Sequence, residues 1–323
     1  MQSFRTVTRK SQIVALIGSV LVSLTCAQSA LAKGPENGGR HDQPINIANV
    51  GFETPESVLY DRASDVYLVS NINGAGLAPD NNGFISRVSP NGTVIALKWI
   101  EGGVTGVTLN APKGSAIANG TLYVADINYL RKFDAKTGQP TGSILFPNAT
   151  FLNDVASDKQ GTVYVSDIGF KLNATSTDIE PSGTDAIYKV DRNDVVSVVA
   201  QGNALLHHPN GLAVLKDGSL QATSYDPFDG TQEIYTISKQ GVRSNTIAMP
   251  AGLLDGVVVI EKRNLLVSSW QTGTIYQVSR KGVVTEVATG LPQPADIGYD
   301  TKRERILVPI FGENRVVIWP LDD

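Results

Sequence analysis

From residue 45 onward the apolar residues fall in short runs separated by Gly, Asn, Asp and Pro, and the three-and-four spacing of an amphipathic helix is nearly absent. Residues 151–167, Phe-Leu-Asn-Asp-Val-Ala-Ser-Asp-Lys-Gln-Gly-Thr-Val-Tyr-Val-Ser-Asp, hold one complete unit of this pattern. Residues 155–157 read as a short apolar strand, 158–161 as a tight turn, and 162–166 as a second strand rich in β-branched and aromatic residues. Asn153 and Asp154 stand just before the first strand.

The unit recurs. Strand pairs begin at 55, 112, 209, 254 and 294, and a third strand follows at 84–88, 186–190, 233–237, 274–278 and 315–319. Matching positions are 40 to 57 residues apart over six units, the spacing of propeller blades with variable loops. The pattern predicts an all-β chain whose residues 45–323 form one six-bladed β-propeller. Residues 45–50 have no local pairing partner, and the last unit stops after three strands. An N-terminal strand completing the last blade would close the ring and cover its edge. The insert at 171–185, rich in Asn, Ser, Thr, Pro and Gly, reads as a loop on one face.

Ahead of this array, Arg5, Arg9 and Lys10 precede an apolar run at 13–24, and Ala30-Leu31-Ala32 offers small residues for cleavage. Residues 1–32 are expected to be a signal peptide and 33–44 a flexible lead-in, so the protein is exported to a periplasm or the exterior. The apolar run is short of the ~20 residues a span needs and no later stretch approaches that length, so no membrane association is expected once the signal is removed. The single cysteine, Cys26, lies in the signal, which leaves the mature chain without disulfides, a cysteine nucleophile or thiolate ligands. A net charge of −4 with scattered basic residues gives no footprint for nucleic acid.

The first strand of each propeller blade runs along the central channel, so residues at one repeat phase converge near the axis. Here they are Glu56, Lys113, Asn153, Asn210, Asp255 and Asp296. Burying such groups without partners costs roughly 1–3 kcal/mol each, and a bound divalent cation removes most of that cost. Carboxylate and amide oxygens are hard ligands that suit Ca²⁺ first, with Mg²⁺ and Mn²⁺ open, and Zn²⁺ less suited because this phase lacks His and Cys. Glu56 and Asp255 balance the ion's charge, Asn153 and Asn210 add oxygens, and the remaining positions are left to water or substrate. Singly, Asn210-Gly211 and Asp255-Gly256 are turn dipeptides and Asn153-Asp154 a turn cap. Their common phase favours the metal site. Asp126, Asp167 and Asp226, at the end of the second strand, read as turn-forming residues.

Pro55-Glu56-Ser57, Asn153-Asp154, Pro209-Asn210-Gly211-Leu212 and Leu254-Asp255-Gly256, in that order and in those blades, resemble the superfamily of senescence marker protein, gluconolactonase and luciferin-regenerating enzyme, over most of the chain. The resemblance implies a six-bladed propeller with one axial divalent cation held by Glu56, Asn153, Asn210 and Asp255, and a hydrolase that opens a lactone or related ester. Two departures bear on substrate. Phe151 stands where the family's sugar lactonases often carry Arg, and Tyr60 follows the first motif where a Trp slightly earlier is common. An apolar or aromatic lactone therefore stands beside a sugar-acid lactone as the expected substrate. Asp255, or alternatively Asp154, is the expected proton acceptor for the attacking water. Phe151, Lys113, Asp154 and His208 are candidate substrate contacts, the His207-His208 pair being otherwise a solvated loop. There is no Gly-x-Ser-x-Gly elbow. A reading from a different class is a non-catalytic exported propeller that binds a ligand or protein and keeps the cation for structure.

Overall fold

The computed structural model describes residues 43–104, 106–261 and 264–321. The expected signal peptide at 1–32 and most of the lead-in lie outside them. Six four-stranded antiparallel sheets follow one another along the chain, as the repeat predicts. Blade 1 is Pro55–Asp61, Val66–Asn71, Phe84–Val88 and Val94–Glu101; blade 2 is Pro112–Ala118, Thr121–Asp126, Tyr129–Asp134 and Pro140–Leu145. Blade 3 is Leu152–Ser157, Val163–Asp167, Ala186–Val190 and Val196–Gln201, and blade 4 is Pro209–Val214, Leu220–Ser224, Glu233–Ile237 and Arg243–Ala248. Blade 5 is Leu254–Val259, Leu265–Ser269, Thr274–Val278 and Val284–Ala288. Blade 6 takes Gly298–Asp300, Arg305–Ile310 and Arg315–Pro320, and its fourth strand is Ile45–Ile47.

Strand alternation explains the stacking. Successive side chains point to opposite faces, and each blade face meets a neighbouring blade, so both faces are apolar. One hydrophobic cluster fills each junction: Leu68 and Ile85 with Leu122 and Phe133 between blades 1 and 2, for example, or Leu266 and Ile275 with Ile306 and Val308 between blades 5 and 6. Second strands are sandwiched most completely, and Val66–Asn71 and Val163–Asp167 are buried at every position. Outermost strands such as Pro140–Leu145 are largely exposed.

The ring closes where the sequence places the closure. Ile45 pairs with Ile318, Asn46 with Val317 and Ile47 with Val316. The seam is reinforced between blades 6 and 1 by the Tyr67 hydroxyl donating to Asp300 at 2.6 Å and by Arg303 bridging Asp65 and Asp300 at 2.7 and 2.9 Å. The insert differs from its expectation as a plain loop. Phe170–Leu172 pairs with Ile179–Pro181 in a short ribbon, because Phe170 is buried in a cluster with Ile168 and Tyr225 and anchors one strand of it.

Candidate active site on the propeller axis

In five blades the pairing of the first strand with the second breaks at the same place: between Pro55 and Ser57, Pro112 and Ser115, Leu152 and Val155, Pro209 and Leu212, and Leu254 and Val257. A bulge leaves its residues out of the ladder and re-aims their side chains. The residues so placed include Glu56, Lys113, Asn153, Asn210 and Asp255. They lie within the first strands, not ahead of them, and none sits in a turn. In blade 6, Asp296 precedes the regular strand and its N–H donates to the Glu56 carbonyl at 2.9 Å across the seam. The glycines that suggested turns serve another purpose: a Cβ on Gly211 would stand 2.3 Å from the Asp255 carbonyl oxygen, and one on Gly256 2.3 Å from the Ile297 nitrogen. Adjacent blades could not approach the axis this closely with a side chain there.

Hydroxyls on the second strands link the bulges, a role the sequence reading missed. Ser166 Oγ accepts the Asp154 N–H and donates to the Asn210 carbonyl at 2.7 Å. Thr223 Oγ1 accepts the Gly211 N–H and donates to the Asp255 carbonyl at 2.7 Å, and Ser268 Oγ accepts the Gly256 N–H and donates to the Ala295 carbonyl at 2.8 Å. The signal in the sequence is a Ser or Thr at one phase of the second strand in blades 3, 4 and 5. Asp126 and Asp167, read as turn formers, accept N–H groups of the loops that lead into the axial strands, from Ala111 at 2.8 Å and Phe151 at 2.9 Å. Asp226 accepts the Phe228 N–H at 2.9 Å within its own turn.

Glu56, Lys113, Phe151, Asn153, Asn210 and Asp255 line one cavity of about 730 Å³ at an end of the axis. Four buried oxygens there accept no hydrogen bond: Glu56 Oε2, Asn153 Oδ1, Asn210 Oδ1 and Asp255 Oδ1. Such orphans are rare in folded proteins. Burial, opposed by the Trp270 indole N–H and reinforced by the charge of Asp154, pushes the Asp255 carboxyl up to about 8. Burial and then the charges of Asp255 and Asp296 hold Glu56 well above the usual carboxylate range, and burial does the same to Asp296. The excess of acidic groups and the orphaned oxygens are the donor set that a hard divalent cation takes.

The other predicted contacts divide. Lys113 is buried, donates to the Ala111 carbonyl at 2.9 Å and lies 4.5 Å over the Phe151 ring. Burial brings its ammonium down to about 8 against the pull of Glu56. Asp154 does not line the cavity: its carboxylate accepts the N–H groups of Val155 and Leu212, each at 2.6 Å, so it is a strut between blades 3 and 4 and not a free base. His208 is neither solvated nor in the cavity lining; it is buried behind Phe170, with Nδ1 2.8 Å from both the Ile168 carbonyl and Asp185. His207 faces Asp229 at 3.8 Å, away from the axial set. Among the described residues, no helix is long and apolar enough to cross a membrane.

Comparison with solved structures finds the same architecture. A gluconolactonase from Xanthomonas campestris superposes with a TM-score of 0.65 at 17% identity, over 86% of this chain and 89% of that one. Luciferin-regenerating enzyme does so with a TM-score of 0.60 at 14% identity, over 86% and 97%. Virginiamycin B lyase from Staphylococcus aureus gives 0.58 at 13% identity, over 87% and 99%. At these identities the likeness is one of fold. Comparison with curated protein sequences gives no match. A family model described as the SMP-30/gluconolactonase/LRE-like region matches residues 101–307, which takes in Asn153, Asn210 and Asp255 but not Glu56. The resemblance seen in the axial motifs therefore extends through blades 2 to 5 whole, and the chain belongs to the SMP-30/gluconolactonase/LRE-like family.

Proposed function

We propose that the protein is an exported, divalent-metal-dependent hydrolase that opens lactones or related esters at the axial cavity. The observation that carries this reading is the set of four buried, unpartnered oxygens on Glu56, Asn153, Asn210 and Asp255 lining one cavity. These residues would hold one cation, Ca²⁺ first. When bound, it supplies a Lewis acid for an ester carbonyl and charge that offsets the buried carboxylates. The chain supplies the rest. Asp255, with one carboxylate oxygen turned to the cation, is placed to accept a proton from an attacking water at its second carboxylate oxygen. Lys113 donates a hydrogen bond at the cavity wall and opposes the charge of Glu56. The apolar lining around these groups limits water. Membership of the family supports lactone chemistry in general. Export rests on residues 1–32, and N-terminal sequencing of the secreted protein tests it, the expected first residue lying near Lys33.

The test is hydrolysis of sugar, aliphatic and aromatic lactones by purified protein with chelator, and again after Ca²⁺ is added back. Turnover lost with chelator and recovered with Ca²⁺ supports the reading. Metal-dependent melting with no turnover on any lactone leaves the non-catalytic binding propeller instead.

A further inference from the structure

The residue directly after the second strand is large and apolar in every blade: Ile72, Ile127, Ile168, Tyr225, Trp270 and Phe311. All of these but Ile127 line the axial cavity. In blades 4, 5 and 6 the residue is aromatic, and Phe170 and Phe151 extend the row through blade 3. The rings touch in sequence. Centroids are 6.3 Å apart for Phe151 and Phe170, 6.3 Å for Phe170 and Tyr225, 5.9 Å for Tyr225 and Trp270, and 4.9 Å for Trp270 and Phe311. All five line the same cavity as the axial carboxylates. Blade 1 completes the lining with a smooth segment, Gly74 to Ala78, in which a Cβ on Gly76 would lie 3.3 Å from the Phe151 ring.

Sugar-acid lactones carry a hydroxyl on most carbons and need polar partners around the ring, since unpaired hydroxyls in an apolar pocket cost roughly 1–3 kcal/mol each. The arc offers rings in the place of such partners. Asn73 and Asn314, polar groups at the other side of the cavity, already donate to the Asn82 carbonyl and to Glu53. The Trp270 indole N–H is buried, makes no full hydrogen bond and lies beside Asp255. A wall of ring faces and edges, with the indole N–H near the axis, suits a planar apolar body attached to the ester.

Resting on the hydrolase reading of this cavity, we infer that its substrate class is lactones with a flat apolar body, aromatic or fused to an aromatic ring, held by the arc from Phe151 to Phe311. Opening such a ring breaks the acyl C–O bond; water's oxygen bonds to the acyl carbon, one proton goes to Asp255, and the phenoxide or alkoxide leaving group takes up a proton from solvent.

Two measurements separate the substrate class from the chemistry. Binding of the lactam analogue of dihydrocoumarin, which resists opening, is followed by quenching of tryptophan fluorescence and by calorimetry, beside glucono-δ-lactone as the polar probe. Hydrolysis of dihydrocoumarin, δ-valerolactone and glucono-δ-lactone is measured with Ca²⁺ present, over the uncatalysed background. The expected result is lactam binding weakened about tenfold by Phe311→Ala and by Phe170→Ala, as expected when an aromatic contact and its buried area are lost. Dihydrocoumarin should exceed glucono-δ-lactone in kcat/KM by about a hundredfold, and both variants should narrow its lead over δ-valerolactone. Preference for glucono-δ-lactone with no lactam binding overturns the substrate class and leaves the lactonase reading standing. Lactam binding sensitive to the two variants, with no lactone opened, upholds aromatic recognition and overturns the hydrolase. Absence of both binding and turnover overturns both.

Discussion

The carboxylate of Asp154 accepts the backbone N–H of Leu212 at 2.6 Å, across 58 positions of sequence, and so joins the bulge that carries Asn153 to the bulge that carries Asn210. Its other oxygen accepts the Val155 N–H at 2.6 Å. Replacing Asp154 with Ala leaves two buried donors unpaired, at about 1–3 kcal/mol each. Chemical denaturation should show a loss of about 2–6 kcal/mol, and titration calorimetry a weaker cation site, since both neighbouring amides lose their brace. Stability within about 0.5 kcal/mol of the wild type would show that the strut is dispensable.

Thr223 does not line the axial cavity, yet it ties the Asn210 bulge to the Asp255 bulge through two backbone groups. Thr223→Val keeps the shape and removes the hydroxyl. Cation affinity is expected to fall about 10- to 100-fold, the effect usual for supports behind metal ligands. Asn210→Ala and Glu56→Gln, which act on the ligands themselves, should each lower affinity with the blades intact by circular dichroism. Full affinity in both ligand variants would refute the site.

Asp255→Asn separates binding from chemistry. An amide oxygen still reaches the site, so affinity should fall only in part, whereas turnover should fall by about 10²–10⁴, the range for loss of a general base. Saturating Ca²⁺ should not restore it. Recovery of wild-type turnover at high Ca²⁺ would make Asp255 a ligand only.

The buried acids predict how stability depends on pH. Burial raises Asp154 to about 6 and Asp255 to about 8, and Glu56 and Asp296 lie well above their usual range. In the cation-free protein the folded state therefore binds more protons than the unfolded chain. The stability linked to these groups is fully present below pH ~4 and is lost as pH rises toward 8. Lys113, lowered to about 8, has the opposite effect only above this window. Melting temperatures measured with chelator should fall between pH 5 and 8, and saturating Ca²⁺ should flatten the slope. A chelated protein that gains stability over that range contradicts the cluster.

Ring closure is testable by deletion. Removing residues 43–50 strips Ile45–Ile47 from Arg315–Pro320 and exposes that strand's edge. The cost should be at least about 2 kcal/mol, the burial of Ile47 alone, and aggregation through the open edge should follow. An unchanged melting temperature argues that the closure contributes nothing.

Much of this was legible in the chain because a propeller is periodic. The blade phase placed Glu56, Asn153, Asn210 and Asp255 at equivalent positions, and three strands at the C-terminus against one unpaired strand at 45–50 identified the closure. A sequence repeat carries that information because each blade solves the same packing problem with the same period-2 pattern. What the pattern could not convey is what a residue meets across the ring. Asp154 reads like a second catalytic acid beside Asn153, and His208 like a substrate contact beside Asn210, yet one is a strut to Leu212 and the other is buried against Asp185 and Phe170. Gly211 reads as a turn, and it is in fact a point where the backbone of the next blade passes too close for a side chain. The aromatic arc likewise draws its residues from four blades, so no local stretch displays it. Strand identity is decided locally by hydrophobic alternation and turn residues; partners dozens of residues apart are decided only when the blades stack, because burial and close approach are properties of the assembled ring.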